Sequence, residues 1–428
     1  MTDALIIERT KAVLTPAFRI HTDVVVRKAL GIHVEDGEGR QYMDFTSGLA
    51  TTNIGHNHAR VIDAIKTQAE ALVHSGCIFH YEPLTVLCEM LKKVTPEGID
   101  MFFLSNSGAE AVEGALKLAR LHSGRQGILA FTSCFHGRTF GAMSLTTSSI
   151  RYRRHYQPFV PSIYHSPYPY CYRCFFGQRL DTCGMDCFEN LERLFKHLIH
   201  PEEVACIIME PVLGEGGYVV PPAEFLGKLR NLCDKWGILL ILDEVQAGMG
   251  RTGKWFASEH FGVIPDIMTI AKGIASGMPL SVVAGPKAIM EKWPPAAHGT
   301  TFGGNPISCA AAIATLSVIE EEGLLENAAK VGRYTLERLR AMQTKYPCIG
   351  DVRGLGLMIG IEFVKGDGKP LTEGLKKIMD HCLENGLILL ECGVDKNVIR
   401  LAPPLIVTEA QMQRGLDIIE KAIVAVCG

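Results

Sequence analysis

Charge imbalance is the first thing this sequence lacks: 43 Lys and Arg stand against 46 Asp and Glu, a formal net charge of −3 over 428 residues. With no long block of one sign, it carries no electrostatic footprint for nucleic acid or an anionic membrane surface. Its densest basic cluster, Arg151 to Arg154, reads as a solvated loop. Long apolar runs are missing as well. No stretch approaches the roughly 18 apolar residues of a membrane span. The opening residues hold acids where a signal peptide has an apolar core, so the expected location is the cytoplasm. There is neither an internal repeat nor a low-complexity linker, and nothing marks a disordered or fibrous chain. With 47% hydrophobic and 21% charged residues, the composition suits a globular protein of two or three domains with a sizeable core.

Cysteine, by contrast, is plentiful. Of the 14, most sit singly in apolar patterns, as at Cys88, Cys206, Cys233 and Cys309. There a reduced thiol behaves as a small hydrophobe, which fits a reducing compartment. Four differ: Cys171, Cys174, Cys183 and Cys187 form CxxC followed by CxxxC in a segment at about 165–190. Four thiols so close can bind zinc tetrahedrally, hold an iron–sulfur cluster or pair as disulfides. The gap between the pairs is shorter than in usual zinc modules, so no metal is assigned, and the segment is expected to be structural.

Two short apolar runs, Ile238 to Leu242 and Ile267 to Ala271, read as buried strands of a parallel sheet, and each ends on a charged residue, Asp243 and Lys272. Ligands of open α/β sheets bind at the carboxyl ends of the strands, so the two are candidates to face one site. A carboxylate and an amine there suit pyridoxal phosphate: the lysine forms a Schiff base with the aldehyde, and the aspartate keeps the pyridine nitrogen protonated. Strand ends also carry such residues simply because solvent begins there.

Further strands are read at 101–104, 127–131 and 204–209, with helices at 61–73, 110–120 and 223–236; this alternation from about 60 to 285 argues for one doubly wound α/β domain. Ser107, Gly108 and Ala109 open a helix directly after a strand, leaving N–H groups bare for an anion such as a cofactor phosphate, although capping accounts for Ser107 equally well. Phe135, near a strand end, can lie flat on a heteroaromatic ring or be a plain core residue. His56 and His58 lack the cysteine or acid that would complete a metal set. Residues 32–45 read as a hairpin, 307–342 as a long helical region, 354–364, 387–392 and 398–401 as strands, and about 373–384 and 408–425 as helices. The resulting division is an N-terminal arm with part of a small domain (1–57), a large domain (58–320) and the rest of the small α+β domain (321–428).

Taken in order, Ser107-Gly108-Ala109-Glu110-Ala111, Phe135-His136-Gly137-Arg138-Thr139, Glu210-Pro211-Val212 with Gly214-Glu215-Gly216-Gly217, Leu242-Asp243-Glu244-Val245-Gln246 with Gly250-Arg251-Thr252-Gly253, Ala271-Lys272-Gly273, and Thr300 to Pro306 resemble the successive motifs of the class III (omega) aminotransferases. These are pyridoxal 5'-phosphate enzymes of fold type I, and the resemblance covers nearly the whole chain. It implies that Lys272 is the Schiff-base lysine and the proton-moving base, with Asp243 the partner of the pyridine nitrogen. Gln246 would neighbour the phenolic oxygen with Val245 beside it, Phe135 would stack on the ring with His136 alongside, and Ser107, Gly108 and Ala109 would hold the phosphate. Thr301 is expected to reach the phosphate of the neighbouring subunit, which implies a homodimer with shared active sites; assembly to a tetramer stays open.

For substrates, Arg400 resembles the family arginine that grips an α-carboxylate with two prongs, and Glu215 resembles its gate. Arg138 resembles the arginine for a distal carboxylate, and Leu49 is apolar where ornithine-specific relatives place tyrosine. The implied reaction moves an amino group from an ω-amino acid, first 4-aminobutyrate and next acetylornithine or ornithine, to 2-oxoglutarate by a ping-pong route. The racemase and epimerase branch of the family resembles this chain throughout, yet tends to carry aspartate where Glu215 stands. Retention of Lys272 and Asp243 speaks against a non-catalytic binding protein on the same scaffold.

Overall fold

The computed structural model describes residues 1–428. Three antiparallel strands come first, β1 (Val26–Leu30), β2 (His33–Asp36) and β3 (Gln41–Asp44), the last two being the expected hairpin. The central sheet uses β4 (Met101–Ser105), β5 (Gly127–Phe131), β6 (Ile163–Ser166), β7 (Val204–Met209), β8 (Leu239–Asp243), β9 (Ile267–Ile270) and β10 (Ser281–Gly285), in the order β4-β10-β9-β8-β7-β5-β6. Strands β5 to β9 pair in parallel, and β10 alone runs antiparallel to both of its neighbours. Strands β5, β7, β8, β9 and β10 are buried along their whole length, as expected when helices cover both faces. This is the fold type I arrangement.

Both termini build the remainder. Strands β11 (Ile349–Leu355), β12 (Met358–Phe363), β14 (Leu390–Cys392) and β15 (Val398–Leu401) form a sheet ordered β11-β12-β15-β14, while β13 (Leu387–Ile388) runs parallel to β3 and joins the N-terminal strands. One apolar core runs without a break from Phe45 through Leu316 and Ile361 to Leu416, so the terminal segments and one flank of the central sheet stabilise each other.

Two readings of the chain need correction. The run 354–364 is not one strand: Leu355 ends β11 and the chain turns at Gly356, whose φ of 53° suits glycine, before β12 begins. An unbroken apolar run conceals such a turn. Likewise 387–392 divides between two sheets. The long helical region is two helices, Pro306–Glu321 and Leu324–Lys345, parted at Gly323 in the left-handed region.

Candidate active site

The carboxyl ends of β4, β5, β7, β8 and β9 converge on a cavity of about 430 Å3 whose walls include Ser107, Gly108, Ala109, Phe135, His136, Arg138, Glu210, Asp243, Val245, Gln246 and Lys272. All of these but Glu210 are nominated by the sequence, where Glu210 stands only as a letter of a motif. The cavity lies outside the carboxyl ends of a parallel sheet, where an open α/β fold places its ligands.

Asp243, the last residue of β8, is held from three sides. Its Oδ2 lies 2.7 Å from His136 Nδ1, and its Oδ1 accepts from Thr269 Oγ1 at 2.9 Å and from the Val245 N–H at 3.1 Å. Burial alone would lower the His136 pKa, but the hydrogen bond to Asp243, with the Asp243 and Glu210 charges, carries it above the usual histidine value. His136 therefore presents a proton to Asp243 and fixes the carboxylate plane. The His136 Nε2 atom is buried with no partner, a cost tolerated at a site built for a ligand.

Lys272 follows β9 and takes a φ of 47°, a strained value for lysine. It is half-buried, on the wall of the cavity. Burial first, and then the Arg400 charge, lowers its pKa to about 8, against the pull of Glu210, Glu215 and Asp243. A lysine tuned this far is neutral often enough near neutral pH to attack a carbonyl or to take a proton.

The helix Gly108–Ser123 opens into the cavity. Its first turn is a capping box in which Ser107 Oγ accepts from the Glu110 N–H at 3.3 Å and the Glu110 carboxylate takes the Ser107 N–H at 2.8 Å. The capping and anion-site readings of Ser107 thus divide by atom: its N–H is committed to Glu110, while the N–H groups of Gly108 and Ala109 have no acceptor within the helix. Gly108 must be glycine, because a Cβ there would stand 2.9 Å from Val245 Cγ1.

Glu210, just past β7, ties two walls together. Its Oε1 accepts from the Phe135 N–H at 2.7 Å and its Oε2 from the Gly214 N–H at 2.8 Å, and burial lifts its pKa to about 7. Cys134, His136 and Glu210 also place a ligand atom each within 4.8 Å of one another, with the Glu210 oxygens and His136 Nδ1 already hydrogen-bonded within the protein. Glu244, beside Asp243 in sequence, turns away and accepts from the Ala257 and Ser258 N–H groups at 3.0 and 2.8 Å. Gln246 is met by the hydroxyl of the wholly buried Tyr218, which donates to Oε1 at 3.0 Å.

Arg400 and Glu215 are not among the walls of that cavity; Arg400 on β15 donates to Glu215 Oε2 at 2.9 Å, and the two side chains are 9% and 24% exposed. Burial would lower the arginine's pKa, and the Glu215 carboxylate more than offsets that. The Arg138 guanidinium lies 4.9 Å from the Tyr152 ring centre and 5.4 Å from that of Phe135. The basic cluster at 151–154 is therefore not simply solvated. Arg153 donates to the carbonyls of Met143, Ser144 and Thr146 at 3.0, 3.0 and 2.9 Å, capping the helix Phe140–Leu145; nothing in a run of arginines signals such a capping role. Thr301 is exposed and lies outside the cavity walls, as does Leu49; Thr51 lines them in Leu49's stead. Leu49 belongs to a run, Ser47 to Ala50, in which every φ lies between 47° and 70°, and Ser47 Oγ anchors that strained turn to the Ala402 carbonyl at 2.6 Å.

A lysine on the cavity wall, a histidine-held aspartate and a helix terminus around one cavity define a site for a phosphorylated aldehyde cofactor of the pyridoxal kind. The family model for aminotransferase class-III matches residues 17–423, and the chain belongs to that pyridoxal-phosphate-dependent family. It is 40% identical to the leucine/methionine racemase of Thermococcus litoralis, over 98% of this chain and 95% of that one. It is likewise 40% identical to the 4-aminobutyrate aminotransferase GabT of Escherichia coli, over 96% of both. An amine transaminase from an uncultivated Pseudomonas species, solved with pyridoxal phosphate bound, superposes with a TM-score of 0.89 at 32% identity over 97% of both chains. No helix is long and apolar enough to cross a membrane.

Proposed function

We propose that this enzyme transfers the amino group of an ω-amino acid, foremost 4-aminobutyrate, to 2-oxoglutarate. The observation that carries this reading is the Arg400–Glu215 pair at 2.9 Å. An ω-amine brings no carboxylate to the reacting carbon, so Glu215 neutralises Arg400 while it binds. An α-oxo acid does bring one, and Arg400 then exchanges Glu215 for a two-pronged carboxylate contact. Arg138 suits the far carboxylate of either substrate.

The residues fit pyridoxal phosphate. Asp243 would hold a proton on the pyridine nitrogen, Gly108 and Ala109 would donate to the phosphate, Phe135 would cover one ring face, and Lys272 would carry the aldehyde. When bound, the cofactor supplies an electron sink for the carbon bearing the amino group. Lys272 Nζ, freed from the aldehyde, would take the proton from that carbon. Its pKa near 8 suits a base that must also give the proton back. The Glu210 side chain, accepting from the Phe135 and Gly214 N–H groups, would hold Phe135 and the Gly214–Glu215 turn in register throughout. We further read the exposed Thr301 and Phe302, the latter 60% exposed, as a loop that meets the partner subunit of a homodimer.

Racemisation is the second reading, because the Thermococcus litoralis relative is as similar as the aminotransferase. Glu215 favours transfer, since the racemase branch tends to carry the shorter aspartate there. The test offers 4-aminobutyrate, 5-aminovalerate, N-acetylornithine and ornithine, each with 2-oxoglutarate, and measures glutamate. The expected order puts 4-aminobutyrate first. No glutamate from any donor, with L-leucine converted to a racemic mixture, would replace the proposal with the second reading.

A further inference from the structure

The segment between β6 and the helix Asp186–His197 is unlike the rest of the large domain. Residues 167–185 contain no helix or strand, and Phe175 and Leu180 are 75% and 67% exposed. An irregular stretch of this length inside a compact domain usually needs a staple or a function. One end has an anchor. Tyr170 and Arg173 both donate to the buried Glu362 of β12, and Glu362 also accepts from Arg353 at 2.8 Å. Arg353 in turn donates to the Gly217 carbonyl at 2.7 Å, two residues from Glu215. The other end has no comparable tie.

Cys171, Cys174 and Cys183 lie here and Cys187 just after, in the helix; all are partly buried, all have free thiols, and they share the walls of one cavity of about 650 Å3. We propose that these four cysteines are the ligands of a structural zinc ion that staples the segment. Three observations support it. The Met185 N–H donates to Cys183 Sγ at 3.2 Å, the kind of contact that stabilises a metal-bound thiolate. Arg173 Nη2, in the middle of the CxxC, is buried without an acceptor, and a thiolate would be one. Cys187 occupies the first turn of the helix Asp186–His197, where the helix dipole favours a thiolate. Arg173 and Lys228, which also lines the cavity, would offset the double negative charge of a zinc tetrathiolate.

The sulfurs border the cavity without closing on a common point, since no three of them lie within 4.8 Å of one another. Without metal, all four thiols are free. On zinc binding, four S–H groups release their protons to solvent, the hydrated ion gives up its waters, four Zn–S bonds form as the pairs draw together, and no oxidation state changes. A tetrathiolate site of this kind leaves no open position, so its role is to brace Glu362, and through it the Gly217 turn, not to do chemistry.

The test is metal analysis of the reduced enzyme purified without chelator, with about one zinc per chain expected for a site of four thiolates. Cys174→Ser and Cys183→Ser should each lose that zinc. In case the variants fail to fold, the wild-type chain grown with cobalt supplies an independent reading: tetrahedral thiolate ligation gives an intense sulfur-to-cobalt charge-transfer band. Absence of both zinc and the cobalt band would overturn the proposal, as would iron with inorganic sulfide in place of zinc, or variants that keep their zinc.

Discussion

Replacing Glu215 by Gln keeps the size and one acceptor oxygen but removes the charge that faces Arg400. Breaking a fully buried pair costs about 3–5 kcal/mol, because a charge is left without compensation. Glu215 is 24% exposed, so the smaller scale of a charge-assisted hydrogen bond, about 1.5–3 kcal/mol, is the better guide. At about 1.4 kcal/mol per tenfold, that corresponds to roughly 10- to 100-fold. The direction differs between the two substrates. For 4-aminobutyrate, an unneutralised guanidinium would face an arriving ammonium group, and kcat/KM should fall by that factor. For 2-oxoglutarate, the carboxylate that competes for Arg400 has gone, and kcat/KM should stay within roughly threefold or rise. In a ping-pong scheme each substrate's kcat/KM reports its own half-reaction, so steady-state glutamate formation with one substrate varied at a time separates the two. Equal losses in both would refute the gate.

Three other substitutions probe the account. Lys272→Met should abolish turnover while pyridoxal phosphate still binds through Gly108, Ala109 and Asp243, as equilibrium dialysis would detect. It should also stabilise the cofactor-free chain at pH 7: with a folded pKa of about 8 against 10.5, the buried ammonium costs stability fully below pH 8, and the cost fades as pH rises from 8 to 10.5. A melting-temperature gain independent of pH would contradict that assignment. Gly108→Ala should weaken cofactor binding by pushing Val245 from its 2.9 Å contact, and adding Val245→Ala should restore part of it; no recovery in the double variant would mean that the crowding lies elsewhere. Arg251 is wholly buried with no carboxylate partner, donating to Asn53 Oδ1 at 2.8 Å, to Leu357 O at 3.3 Å and to Pro403 O. Arg251→Met should strand those acceptors at about 1–3 kcal/mol each, lowering the urea midpoint; an unchanged midpoint would show that they find other donors.

What is legible in the sequence is what is local. Strands β7, β8 and β9 announce themselves as short apolar runs, and each hands a charged residue to the site at its end, so the order of residues makes Asp243 and Lys272 candidates to face one site, and the successive motifs strengthen that reading. The helix Ala223–Trp236 has the bounds read from its periodicity. What stays hidden is long-range or concealed by composition. His136 meets Asp243 across 107 positions, and Tyr218 meets Gln246 across 28. Glu210 is visible as a motif letter, but its grip on two separate N–H groups depends on how β5 and β7 lie together. The turn at Gly356 sits inside an apolar run that looks like one strand. The left-handed Ser47–Ala50 turn has only one glycine, Gly48, so its strain, borne by the Ser47 anchor to Ala402, has no composition signal.

The central claim is that nitrogen leaves one substrate and arrives on another at a single pocket. The most direct measurement incubates the cofactor-loaded enzyme with 15N-labelled 4-aminobutyrate and unlabelled 2-oxoglutarate, then weighs the glutamate by mass spectrometry. The account predicts 15N in the glutamate, and loss of that product when Lys272 is changed to Met. Unlabelled or absent glutamate, together with D-leucine formed from L-leucine by the same preparation, would contradict it.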